Sequence, residues 1–171
     1  MKIIGIDPGY AIVGYGVVDY KNTRFTTLDY GAITTQAKTD FSIRLQQIYD
    51  QFSNLLIIHK PDAASIEKLF FTNNQKTGID VAQARGVIML ACQQHNVPCF
   101  EYTPLQVKQS VVGYGRAIKS QVMEMTKRIL NLKQVPKPDD TADALALAIC
   151  HAHVAPSIIM TEKINKIMQR G

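Results

Sequence analysis

The chain has 171 residues, 46% of them hydrophobic, enough to bury a substantial core as one domain without disulfide staples. It carries no N-terminal export pattern and no run of about 18 apolar residues, which sets aside secretion and a membrane span and predicts a cytoplasmic protein. A net charge of +5 favours an anionic partner over a basic one.

Lys2 to Asp7 forms an apolar, β-branched first strand that ends on a carboxylate before Pro8-Gly9. Gly14 to Asp19 and Phe25 to Thr35 read as the next two strands, turning at Lys21-Asn22-Thr23, so an antiparallel meander is expected. Phe41, Leu45, Ile48, Phe52 and Leu55 then recur at helical spacing, with Thr39 or Asp40 as cap and Lys60-Pro61 as stop. A fourth strand, Ala63 to Glu67, follows, so the helix is predicted to return the chain parallel to the first strand. Lys68 to Thr77 reads as a loop. A second helix is predicted over Ile79 to Asn96, with Val81, Ala84, Val87, Ile88 and Ala91 on one face. Gly86 inside it costs about 1 kcal/mol relative to Ala, which suggests close approach of another helix there. Cys99 to Thr103 is a short fifth strand, followed by helices near Pro104 to Val112 and Lys119 to Leu130 and a last helix from Thr141 to His153. Three meander strands followed by alternating helices and strands predict a single α/β domain with a mixed sheet. The tail beyond Pro156 is expected to be loosely ordered.

Two patterns bear on chemistry. Between Leu105 and Lys137 stand seven basic residues (Lys108, Arg116, Lys119, Lys127, Arg128, Lys133, Lys137) against one acid, Glu124. Such a lopsided field suits a polyanion, since each neutralised phosphate releases counterions, although a solvated basic face reads the same way. The second pattern is acidic. If the first and fourth strands lie side by side, Asp7 and Glu67 project from one sheet edge, where the sites of parallel sheets gather. Asp140 and Asp143 share a face at the start of the last helix, and so do Asp139 and Asp143, so spacing leaves Asp139 and Asp140 open. Each acid also has a bland reading: Asp7 as a turn residue, Asp139 or Asp140 as a helix cap, Glu67 as a surface acid. Crowded together, they would repel one another unless a divalent cation sat among them. Hard oxygen donors point to Mg²⁺ or Mn²⁺ rather than zinc, and two such ions suit phosphodiester hydrolysis. Phe70 and Phe71, just past Glu67, could stack on or wedge between bases, or pack in the core. Cys92, Cys99 and Cys150 are too scattered for a metal or redox motif and read as reduced packing residues. His151 and His153 read as structural or surface residues.

The segments "GIDPG", "GYGVV", "IEKLFF", "QARGV", "VKQSVVGYG" with "KSQV", and "DDTADALALAICHAH" occur in that order over about residues 1–155 and resemble the RuvC family of bacterial Holliday junction resolvases. The resemblance implies an RNase H-like nuclease domain over residues 1–155, with 156–171 as a tail. It implies a homodimer that cuts four-way junction DNA symmetrically in recombination and repair, with two metal ions per active site. The family's acidic tetrad falls on Asp7, Glu67, Asp140 and Asp143, its base-contacting aromatic on Phe70, and its DNA-binding lysines on Lys108 and Lys119; Arg116 is expected to help hold the arms. Its dimer-forming helix falls on Gln83, Arg85 and Gly86. Its partners are the RuvA and RuvB branch-migration proteins. Competing readings are a non-catalytic junction-binding protein, a YqgF-type RNase H-like nuclease, and an actin-like ATPase or sugar kinase, for which the chain is short of a second lobe.

Overall fold

An apolar run such as Ile3-Ile4-Gly5-Ile6 can be buried on both sides only in the middle of a sheet with a layer on each face. The computed structural model describes the backbone of residues 1–69 and 75–168 and the side chains of 1–69 and 78–155. In it β1 (Lys2–Asp7), β2 (Ile12–Lys21), β3 (Arg24–Thr34), β4 (Ala63–Glu67) and β5 (Cys99–Tyr102) form one sheet in the order β3-β2-β1-β4-β5. The β1–β2 and β2–β3 pairs are antiparallel, whereas β1–β4 and β4–β5 are parallel, so the expected mixed sheet is present. β2 runs longer than the sequence predicted because it is paired along both edges, from Ile12↔Thr34 to Lys21↔Arg24 on one side.

Side-chain parity then sorts the layers. Ile4 and Ile6 face α1 (Phe41–His59) and α2 (Gln75–Gln94), meeting Ile48, Phe52, Ala84 and Ile88. Ile3 faces the opposite layer, where α3 (Pro104–Val112), α4 (Lys119–Ile129) and α5 (Asp139–Met168) supply Val107, Val122 and Leu145. All three isoleucines are fully buried, and each such side chain contributes about 1.5–3 kcal/mol by leaving water.

The ends of the helices follow local chemistry. Thr103 caps α3 with a capping box: its hydroxyl accepts from the Gln106 N–H while the Gln106 side chain accepts from the Thr103 N–H. Thr103 is therefore a cap and not the last residue of β5. Lys60 closes α1 in the left-handed region, donating its N–H to Leu56 O. α2 starts at Gln75, inside the stretch expected to be a loop, and α5 passes Pro156 and continues to Met168 rather than ending at His153. The helix contact expected at Gly86 is absent among the described residues: α2 meets α1 through Ala84 and Ile88, while Gly86 is exposed with none of them within 4 Å of a Cβ built there. His151 is buried, its Nδ1 2.7 Å from the Tyr102 hydroxyl, which is the structural role expected of it. All three cysteines are free thiols. Among the described residues no helix is long and apolar enough to cross a membrane.

Candidate active site

The parity that turns Ile3 and Gly5 toward α5 also turns Asp7 there. On β4, Ser65 faces the same layer, its hydroxyl buried and donating to Leu147 O of α5 at 2.7 Å, and Glu67 follows it two residues on. Ile6 pairs with Ile66 in the parallel ladder, so the two acids leave adjacent strand ends on one face.

The first turn of α5 reaches the same place because glycines let it. A Cβ at Gly5 would lie 1.9 Å from Ala144 O, and one at Gly14, the register partner of Asp7, would lie 2.0 Å from Asp140 O. Helix backbone thus rests directly on β1 and β2, and Asp140 and Asp143 arrive beside Asp7 and Glu67.

The electrostatics record the crowding. Burial, then Glu67, Asp143 and Asp140 in that order, push the Asp7 carboxyl up to about 7, with Lys119 opposing. Burial and then Asp143 raise Glu67. Burial also raises Asp143, against the Lys119 ammonium, which donates to it at 2.8 Å. Asp139 differs: it is exposed, pairs with Lys137 at 2.6 Å, and is held below the usual carboxylate range chiefly by that bond. Asp140 is among the acids that raise Asp7 and Asp139 is not, whereas at Asp143 both raise the carboxyl, Asp139 ahead of Asp140.

A cleft of about 180 Å³ opens beside the acids, lined by Glu67, Asp143, Lys108 and Lys119 and walled by Pro104, Val107, Val122 and Leu147. Among the described residues no three His, Cys, Asp or Glu side chains are gathered closely enough to chelate an ion unaided. Glu67 and Asp143 line the cleft together with the Lys119 ammonium, which pairs with Asp143. Carboxylate oxygens without Cys or His in the lining fit a hard divalent cation, and a carboxyl raised to about 7 by burial first and by three neighbouring acids next marks a site short of positive charge.

Of the other sequence-predicted residues, Lys108 lines the cleft and Arg116 is exposed on the α3–α4 connection. Gln83 and Gly86 lie exposed on α2. Arg85 turns inward instead, ion-paired with Glu101 of β5 and donating to Glu67 O at 3.4 Å. Phe70 and Phe71 lie outside the described residues. Sequence reasoning missed Arg44, buried in α1, which donates to Tyr10 O at 3.1 Å and Thr35 Oγ1 at 2.8 Å and so clamps the segment that follows Asp7. Its signal was present: a charged residue inside the Phe41–Ile48 core stripe.

The family model described as crossover junction endodeoxyribonuclease RuvC matches residues 3–151. The chain belongs to the RuvC family. Crossover junction endodeoxyribonuclease RuvC of Clostridioides difficile is 58% identical over 153 residues, covering 90% of each chain. That of Brevibacillus brevis is 52% identical over 166 residues, covering 97% of this chain and all of the relative. The structure of Thermus thermophilus RuvC in complex with Holliday junction substrate superposes with a TM-score of 0.86 at 34% identity, covering 91% of this chain and 94% of that one. The fold is thus that of RuvC and its RNase H-like neighbours, and RuvC membership makes the chain a metal-dependent crossover junction endodeoxyribonuclease. A non-catalytic binding protein or a YqgF-type nuclease is not favoured.

Proposed function

We propose that residues 1–155 bind four-way junction DNA and hydrolyse one phosphodiester at the cleft that β4, α3, α4 and α5 line, with Asp7, Glu67, Asp140 and Asp143 as the catalytic acids. The observation that carries this is Asp7, a carboxyl in a largely dry site, raised to about 7 by burial and three other acids drawn from β4 and α5. The four acids would hold two divalent ions, Mg²⁺ with Mn²⁺ as substitute. Bound there, the ions supply charge for the phosphate oxygens and lower the pKa of the attacking water.

The chain's own groups do the rest. Lys119 and Lys108, on the cleft wall, hold phosphate oxygens, and Arg116 takes a phosphate of an arm. Pro104, Val107 and Val122 limit the water around the scissile phosphate. A water oxygen bonds to phosphorus and the bond to the 3′ oxygen breaks; that oxygen takes a proton, leaving 5′-phosphate and 3′-hydroxyl ends. Phe70 and Phe71 are assigned to base contact on the family resemblance, as are the RuvA and RuvB partners and a cytoplasmic location.

Two cuts on a two-fold substrate call for a C₂ dimer. Ile79, Gln83, Gly86 and Leu90 are all exposed at alternating four- and three-residue steps on α2, a seam with Ile79 and Leu90 at its ends and Gln83 and Gly86 between them. A second copy's α2 against that seam would account for the glycine that the chain itself leaves uncovered. The decisive experiment is a gel assay with Mg²⁺ on a synthetic four-way junction, linear duplex and RNA–DNA hybrid. Paired nicks confined to the junction are expected; equal cutting of linear duplex would overturn the assignment.

A further inference from the structure

Lys119 is the first residue of α4, and its ammonium stands 2.8 Å from Asp143 Oδ2 and 3.7 Å from Asp139 Oδ2. Its charge is also felt at Asp7 and Glu67, in both cases against the upward push of burial and like charge. No other Lys or Arg among the described residues makes an ion pair with Asp7, Glu67, Asp140 or Asp143. The side chain is 56% exposed, so it can swing away without opening the core. A monovalent ammonium on a flexible stem therefore stands among the carboxylates that a divalent ion needs, and two cations that compete for Asp143 weaken one another's hold.

We propose that Lys119 is a tethered placeholder for the divalent cation: it neutralises the acids in the DNA-free enzyme, is displaced from Asp143 when the ion enters, and then turns to a DNA phosphate. This rests on the carboxylate site described above. Displacement makes the two ligands cooperative, because a phosphate that draws Lys119 off Asp143 removes a competitor of the ion, and by linkage the ion frees Lys119 for phosphate. A lysine whose only role was to hold phosphate would leave ion binding without DNA unchanged or, by loss of local order, weaker.

The test is Mn²⁺ binding to the DNA-free full-length protein, read by the loss of the free-ion electron paramagnetic resonance signal. Lys119→Met and, as a second neutral variant, Lys119→Gln should bind Mn²⁺ at least about fivefold tighter than the unmutated protein. Lys119→Arg, which keeps the charge, should stay near the unmutated affinity, and Asp7→Asn should bind more weakly. Neutral variants that bind Mn²⁺ no tighter, while Asp7→Asn still loses it, overturn the placeholder and leave the carboxylate site standing. If Asp7→Asn binds Mn²⁺ undiminished, the site itself is wrong and the placeholder falls with it.

Discussion

Gly14 lies directly under the carbonyl oxygen of Asp140, which a Cβ at position 14 would approach to 2.0 Å. Only backbone could move to relieve that contact. Gly14→Ala should therefore lift the first turn of α5 off the sheet, at a cost of about 1–3 kcal/mol in urea denaturation. Cleavage should fall further than stability implies, by roughly 100-fold, because Asp140 and Asp143 shift relative to Asp7. Single-turnover cleavage beside a urea melt checks both.

The raised Asp7 pKa gives the metal-free protein a pH-dependent stability with a definite sign. Below the unfolded value of 3.8 the carboxyl is protonated in both states and nothing is lost; from there to about 7 the unfolded chain sheds the proton first, and stability falls. The loss, at most roughly 4 kcal/mol, is complete above the folded value. Metal-free Asp7→Asn should thus melt higher than the unmutated protein at pH 8 and no higher at pH 4. Added Mg²⁺ should restore the unmutated protein at pH 8 and leave the variant where it was.

On α2, Gly86→Leu adds a side chain where none of the described residues lies within 4 Å. The monomer should fold as well as before or better, since glycine is the poorer helix former by about 1 kcal/mol relative to Ala. If the seam is the dimer interface, sedimentation should show dissociation and junctions should receive single rather than paired nicks.

Lys108 and Arg116 carry no ion pair among the described residues, so their charge is available to phosphates. Replacing either by Ala should lower the slope of log affinity against log salt by about 1. Junction binding measured from low to high salt gives the slope directly, and an unchanged slope removes that residue from the DNA surface.

Much of the site was legible because strand parity and register are properties of sequence. β1 and β4 have the bounds that their apolar runs predict, and both end on the acid that faces α5. The start of α5 was harder, since Asp139 and Asp140 both share a face with Asp143. The choice depends on which helix face lies against Gly14, a tertiary fact. Arg85 shows the same limit: the family resemblance placed it in a dimer-forming helix, while its ion pair with Glu101 of β5, sixteen residues away in sequence, depends on tertiary structure. Lys119 could be assigned to DNA on the family resemblance, yet not to Asp143, because nothing local ties the start of α4 to the start of α5.

In the proposed function, carboxylates from β1, β4 and α5 form one cation-dependent cutting centre. The most direct measurement compares Asp7→Asn with the unmutated protein on a synthetic four-way junction in Mg²⁺, following cleavage and junction binding in the same samples. Binding retained with cleavage lost is the result expected; cleavage by Asp7→Asn at the unmutated rate would contradict the account.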